Sequence, residues 1–408
     1  MTDVLSVAAI RTQFPALERR HRGAPVAYFD GPGGTQVPRA VVEAMTDYLT
    51  QHNANSHWLY PSSLETDALL LDARATFAAF MNGAPEEIVF GNNMTTLTFH
   101  LARALGRGWQ KGDEVIVTEL DHHANVAPWQ ALAQERGIVL KWLPIDLETY
   151  RLRLALLPSL LGPRTRLLAL GAASNALGTI SDVAAAARLA HDAGALVFAD
   201  GVHYSPHVLP DVRALNCDFF ACSSYKFYGP HIGILWGRQS LLDSLDVPKL
   251  EPAPDRAPER FETGTQNHEG IVGAAAAVHW LAALAGPTGS LRSRLSQTYQ
   301  GLHDRETTLF DRLWHGLGQL PGVVRYGPPP GSARTATIAF TLRGKASSDV
   351  ARELADEACF VSNGDFYATT IARQLGVTAE GFVRIGAACY TTEEEVDRVV
   401  TGVERLRT

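Results

Sequence analysis

From about residue 65 to 285, short apolar runs alternate with amphipathic stretches of helical period. EEIVFGN (86–92), DEVIVTEL (113–120), IVLKWLPI (138–145), TRLLALGAAS (165–174), GALVFAD (194–200), CDFFACSS (217–224) and GILWG (233–237) read as strands. They are rich in Val, Ile, Leu and Phe without clean alternation, as expected of strands buried on both faces. The stretches between them read as helices, among them 182–193, which ends in DAGA with glycine at the expected C-cap. Strands alternating with helices imply βαβ units and a largely parallel sheet covered on both sides, an α/β fold.

Near residue 285 the pattern changes. AGPTGS (285–290) is a turn-rich break after an apolar helix over 270–285. Beyond it come a long polar helix (about 291–318), strand-like TATIAFTLRG (335–344), a helix around 348–357, VRIGAACY (383–390) and a closing helix from about Thr392. The expected organisation is an N-terminal segment, 1–20, packing on the small domain, a large domain over 21–285, and a smaller C-terminal α+β domain over 286–408.

Composition narrows the function classes. A chain of 408 residues with 46% hydrophobic and 19% charged residues is globular and too long for one small core. A net charge of −7 with no basic block leaves no footprint for nucleic acid or an anionic membrane. No apolar stretch reaches the ~18–20 residues of a membrane span. The N-terminus lacks the pattern of a secretory signal, so a soluble cytoplasmic protein is expected. Four cysteines, Cys217, Cys222, Cys359 and Cys389, make neither a disulfide framework nor a zinc pattern.

In open α/β sheets, ligands sit beyond the carboxyl ends of the strands. Those ends deliver Thr95 after the first run, His122 and His123 after the second, Ser174 and Asn175 after the fourth, Asp200 and His203 after the fifth, and Ser223, Tyr225 and Lys226 after the sixth. Alone, Lys226 reads as a loop lysine and Asp200 as a helix cap. Together they suit one chemistry. A lysine amine forms a Schiff base with the aldehyde of pyridoxal phosphate. A carboxylate facing the pyridine nitrogen keeps it protonated, so the ring accepts electrons. Hydroxyls of Thr95 and Ser223, with N–H groups at a helix start, suit its phosphate. A nicotinamide site would need a glycine fingerprint after the first strand, and GNNMTT offers none.

DHHANVAPW (121–129), SNALGTI (174–180), DGVH (200–203), SSYKFYGPHIGILWG (223–237), RFETGTQN (260–267) and VRIGAACYTTEEEVDR (383–398) carry a family resemblance. The chain resembles pyridoxal-phosphate enzymes of fold-type I, aminotransferase class V, closest to the cysteine desulfurase and selenocysteine lyase branch. That resemblance implies a mostly parallel seven-stranded sheet between helices in the large domain, and a homodimer with shared active sites. It implies that Lys226 carries the cofactor and shuttles a proton, that Asp200 pairs with the pyridinium nitrogen, and that His122 stacks on the ring. Asn175 would bond the ring's phenolic oxygen, and Thr95, Ser223 and Tyr225 would hold the phosphate. Thr265 would reach the phosphate of the partner subunit, and Arg384 would clamp the substrate α-carboxylate with a bidentate fork. His203 stands where desulfurases usually have glutamine and related class V enzymes have histidine. Trp58 and Tyr60 suit either the substrate pocket or a dimer surface. The glycine-rich FDGPGGTQ (29–36) suits either a close backbone approach or an ordinary turn.

One departure stands out. A desulfurase of this branch carries its nucleophilic cysteine in a segment like RAGHHCA. Here the corresponding segment is VSNGDFYA (361–368), which puts Tyr367 at the thiol position. Cys359, read as lying at a helix end, is the remaining candidate thiol. The sequence therefore points to a lyase acting on a cysteine- or selenocysteine-type amino acid without a protein persulfide. An aminotransferase or an amino-acid epimerase on the same scaffold is the alternative, with Tyr367 a proton donor or a packing residue.

Overall fold

The computed structural model describes residues 4–406, so the first three residues of the N-terminal segment and the last two of the chain lie outside the described residues. The seven apolar runs form one seven-stranded sheet: β1 (Ile88–Gly91), β2 (Glu114–Thr118), β3 (Val139–Leu143), β4 (Thr165–Gly171), β5 (Leu196–Asp200), β6 (Phe219–Ser223) and β7 (Gly233–Gly237). Their order is β1-β7-β6-β5-β4-β2-β3, and only β7 runs against its neighbours. Both faces are apolar, and alternate residues sort cleanly between them. Leu168, Leu170, Val197, Ala199, Phe220 and Trp236 enter one core, while Leu167, Ala169, Phe198, Phe219 and Leu235 enter the other. Each fully buried Val, Leu or Phe of this kind contributes about 1.5–3 kcal/mol. The strands end a few residues earlier than the apolar runs, because polar residues at their carboxyl ends turn the chain into the site.

Helices α1 (Pro61–Met81), α2 (Met94–Arg107), α3 (Ala127–Arg136), α4 (Val183–Asp192) and α5 (His268–Ala283) cover the sheet. The first core takes Phe77 and Phe80 of α1, Ala186 and Ala190 of α4 and Ile271 of α5; the second takes Leu101 and Leu105 of α2 and Trp129 of α3. Caps match the sequence signals. Asp182 accepts the Ala185 N–H at the start of α4, and Gly194, just past its end, takes a φ of +77°.

Past the AGPTGS break, α6 (Leu291–Gly318) begins against the core of the seven-stranded sheet and ends in a second core. Leu295 and Leu302 enter the first large-domain core, whereas Phe310, Leu313 and Leu317 enter a core of their own. That core packs on an antiparallel sheet of β8 (Val323–Tyr326), β9 (Thr337–Leu342), β10 (Ser362–Gly364) and β11 (Phe382–Gly386), ordered β8-β9-β11-β10, with helices α7 (Ser347–Asp356) and α8 (Glu393–Arg405). Strands β8 and β10 escape the periodicity reading because they are short, and β10 is the polar tripeptide SNG.

The start of the chain touches both units. Phe14 meets Tyr228, Trp280 and Tyr390 edge-on at 4.9–5.9 Å, and Arg11 pairs with Glu395 at 3.0 Å. Ala27–Tyr28 pairs in parallel with Cys359–Phe360, and Phe29 is buried in the small-domain core. Cys359 therefore lies on a short strand rather than at a helix end; α7 stops at Asp356, and Ala358 takes a φ of +58° to turn the chain. No helix among the described residues is long and apolar enough to cross a membrane.

The reversed strand depends on one glycine. A Cβ built on Gly233 would lie 2.4 Å from the carbonyl carbon of Asn93, the residue that caps α2 beside the site. Backbone is met there, so neither element can yield by a side-chain rotation. Gly233→Ala is expected to lower the melting temperature by several degrees and weaken cofactor retention. Gly108→Ala, whose Cβ would meet nothing closer than 3.8 Å, should stay within a degree or two. Calorimetry of the two variants checks this; equal effects would overturn it.

Candidate active site

Five strands, β1, β2, β4, β5 and β6, bring their carboxyl ends, and β7 its amino end, to one cavity of about 730 Å³. Into it come Thr95 from the first turn of α2, His122 from the turn before α3, Asn175 from beyond β4, Asp200 and His203 from β5 and its loop, and Ser223, Tyr225 and Lys226 from β6 and the turn after it. Tyr367 reaches the same cavity from the small domain. Two expected residues stand apart. Arg384 on β11 lies buried behind this wall, and Thr265 is exposed and lines a neighbouring cleft with His100 and Arg103.

Lys226 is only 8% exposed, and its Nζ donates to the carbonyl of Pro32. Burial, and next the nearby Arg384 cation, push its amine down to about 7. Asp200 is pushed up to about 6 by burial, opposed by the Val202 N–H that it accepts at 2.9 Å and by the Lys226 charge. His122 is pushed down to about 4, by burial first and then by Lys226, Arg384 and His123. Its Nδ1 accepts the Ala124 N–H at 3.0 Å, so the neutral ring carries its hydrogen on Nε2. His203 is held well below its usual range, by burial and then by His207. The Nε2 of His203 lies 3.1 Å from both the Thr335 and Thr337 hydroxyls, while its Nδ1 is buried without a partner. The site is thus built from a free amine, two neutral imidazoles and a carboxyl group short of counter-charge.

The small domain closes one side. Phe366 and Tyr367 both take left-handed backbone, with φ of +56° and +57°, which ordinary residues adopt at a cost of about 1–3 kcal/mol. Three hydrogen bonds hold them there. Asn175 Nδ2 donates to the Phe366 carbonyl at 2.8 Å, the His123 N–H to the Tyr367 carbonyl at 2.7 Å, and the Tyr367 N–H to Asp365 Oδ1 at 3.1 Å. The Tyr367 ring, 70% exposed, stands 5.4 Å from that of His122. Phe366 lies 3.9 Å from the Arg384 guanidinium, whose Nη1 donates to the Asn175 carbonyl at 2.9 Å. Arg384 Nε is buried without a partner, and burial pushes the group down to about 9.

Sequence reasoning missed several neighbours. His231 stacks on Tyr225 with ring centroids 4.8 Å apart and lines the cavity, as do Asn92 and Phe99. FDGPGGTQ proves to be a close backbone approach: Pro32 touches Lys226, and a Cβ on Gly34 would stand 3.2 Å from the Tyr225 ring. Its DGPGG core was a usable signal. Nothing in the helical pattern around Phe99 marked that ring as facing a cavity.

These residues fit pyridoxal phosphate in kind. Asp200 is a buried carboxyl group that a ring cation would balance, and Lys226 is a buried amine free to meet an aldehyde. The start of the 14-residue α2 offers N–H groups and the Thr95 hydroxyl to a phosphate. Ser223 Oγ accepts the Met94 N–H at 3.0 Å and keeps its own proton to donate. The orphaned Asn175 Oδ1 and His203 Nδ1 mark polar atoms that await a partner.

Comparison with known proteins agrees. The aminotransferase class-V family model matches residues 27–399. A cysteine desulfurase of Dickeya dadantii (strain 3937) is 34% identical over 413 residues, covering 97% of this chain and 96% of its own. The crystal structure of the Escherichia coli cysteine desulfurase CsdA superposes with a TM-score of 0.85 at 31% identity, over 98% of both chains. The apo cysteine desulfurase of Thermococcus onnurineus NA1 gives a TM-score of 0.89 at 28% identity, over 100% of this chain and 99% of that one. The chain belongs to the class-V aminotransferase family of pyridoxal-phosphate-dependent enzymes, in its cysteine desulfurase-like branch.

Proposed function

We propose that this enzyme is a lyase that breaks the C–S or C–Se bond of a cysteine- or selenocysteine-type amino acid without passing the chalcogen through a cysteine of its own. The observation that carries this reading is the placement of the thiols. All four cysteines are buried and none lines the cavity, where Tyr367 stands instead. Burial pushes the Cys359 thiol up to about 11 and that of Cys217 up to about 12, and those of Cys222 and Cys389 are raised as well. A thiolate nucleophile needs the opposite surroundings.

When bound, pyridoxal phosphate supplies an aldehyde for amines and a ring that accepts electron density released at Cα. The chain's residues do the rest. Asp200 would balance the ring nitrogen's charge, and His122, neutral at physiological pH, would face the ring without adding a charge. Asn175 and His203 would hold the ring's polar edge. Thr95, Ser223 and Tyr225 would hold the phosphate at the start of α2, with Thr265 serving the partner subunit's phosphate. Arg384 would hold the substrate α-carboxylate once Phe366, 3.9 Å from its guanidinium, moves aside, and its orphaned Nε supplies an unused donor for that bond. Lys226, with its proton affinity lowered, removes the Cα proton and returns a proton as the product forms. Tyr367 and the small-domain loop close the cavity mouth over the substrate side chain.

The shared site implies a homodimer. Trp58, Leu59, Tyr60, Leu64 and Leu71 are all exposed, and Leu59 is 94% so, an apolar face that a second copy would cover. Light scattering is expected to report a mass near twice 44.2 kDa, and a monomer at micromolar concentration would remove the basis for the role given to Thr265.

Three outcomes test the chemistry. The purified protein is expected to show a visible cofactor band that Lys226→Ala abolishes, together with release of sulfide or selenium. Ketoacid formation with an acceptor, or loss of stereochemistry, in place of that release would move the activity to transamination or epimerisation. Because burial lowers the Lys226 amine to about 7, its unprotonated fraction grows as pH rises through that value. Loading of the cofactor-free protein should therefore speed up about tenfold between pH 6 and 8 and flatten above; a rise that continues towards pH 10 would contradict the lowered amine. Cys359→Ser is expected to keep chalcogen release within about twofold, whereas a loss of more than tenfold would restore the persulfide route.

A further inference from the structure

Beside the cavity lies a titratable group that the chemistry above does not use. Asp30 opens the turn 30–34, whose backbone wraps the two basic side chains of the site, Lys226 and Arg384. The Gly33 N–H donates to the Asp30 carbonyl at 2.7 Å, and the next carbonyl, that of Pro32, accepts from Lys226 Nζ. A Cβ on Gly33 would stand 3.5 Å from Arg384 Nη2, and Asp30 itself bridges to Gly386, two residues beyond Arg384 on the same strand. The turn is thus tied to the segments that carry Lys226 and Arg384, and a Cβ on Gly33 would also crowd the Asp30 carbonyl at 3.1 Å. Asp30 Oδ1 is buried there with no hydrogen-bond partner. Its charge acts on Lys226 and on Arg384 at once, and theirs act back on it.

We propose that Asp30 is a positioning residue of this site: its carboxylate is the resident counter-charge of Arg384, beside the Lys226 nitrogen, and sets how strongly Arg384 attracts a substrate carboxylate. A buried cation draws an anion strongly, and an anion already beside it lessens that pull. An incoming carboxylate brings the same charge and is resisted by the one already present. Asp30 thereby weakens the grip on any carboxylate, which favours release of a carboxylate product after turnover. The inference rests on the reading of Arg384 as the carboxylate clamp.

The other groups facing this cluster stay the same in the variants below. Asp200, His122, His203 and Tyr225 surround Lys226 and Arg384, and Tyr28 and Tyr390 face Asp30. Burial raises the Asp30 carboxyl, opposed by a backbone hydrogen bond and then by Arg384 and Lys226.

The test uses the holoenzyme and Asp30→Asn, which keeps the shape of a side chain whose Oδ1 makes no hydrogen bond. Calorimetric titration with propionate at pH 8 should show binding about three- to tenfold tighter in Asp30→Asn, with propionamide unaffected. The visible-band titration should shift its midpoint to lower pH, because a neighbouring anion that favoured the protonated nitrogen is gone. Asp30→Glu, which keeps the charge, should stay near wild type in both. An unchanged propionate affinity and midpoint in Asp30→Asn would overturn the proposal, and so would equal changes for propionate and propionamide, which would mean packing alone. Arg384→Lys separates the two levels of inference. If it leaves propionate binding unchanged, the clamp reading fails and this inference with it. If it weakens binding while Asp30→Asn changes nothing, only the role of Asp30 fails.

Discussion

Everything in the site follows from taking a lysine amine and a carboxylate out of water at the ends of adjacent parallel strands. Desolvation is the largest influence on both, lowering the proton affinity of Lys226 and raising that of Asp200. In water the amine would be a cation and the carboxyl an anion, with no reactivity at neutral pH. Buried, the amine is free to act and the carboxyl calls for a cation. The sheet makes this possible, because β5 and β6 are covered on both faces by apolar side chains and Asp200, the last residue of β5, pairs with Ala221 just before the end of β6.

The second constraint is that one site is assembled from two cores. Helix α6 crosses from one to the other, and the buried pair of His207 and Glu306, 2.7 Å apart, ties it to the loop that follows Asp200. On the far side, Thr335 and Thr337 of the small domain bracket His203, while the carbonyls of Phe366 and Tyr367 accept bonds from Asn175 and His123. The left-handed backbone at 366–367 is held by those bonds. A site whose walls come from separately packed units is a natural place for closure around a substrate.

Much of this was legible along the chain. The seven apolar runs became the seven strands, the helix caps fell at Asp182, Thr392 and Gly194, and Asp200, Lys226, His122, Asn175, Thr95 and Ser223 converged because each lies at or just beyond the carboxyl end of a strand. The DGPGG turn signalled a close approach but not its target, Lys226, and the stacking of His231 on Tyr225 and the cover of Phe366 on Arg384 were not legible. Each joins residues that are distant in sequence or whose facing depends on a loop's path, and no local period records that.

The sequence by itself determined the order of strands and helices, the two-sided burial of the sheet and the set of reactive residues at its edge. These follow from local periodicity and from the rule that polar residues after a buried strand must emerge at its end. Only the tertiary structure decided that Arg384 lies behind the cavity wall, that Cys359 is locked in a strand pair away from the chemistry, and that the turn opened by Asp30 lies against Lys226 and Arg384. Desolvation and charge proximity are sums over everything packed around a group, and they exist only once separate segments have closed on one another.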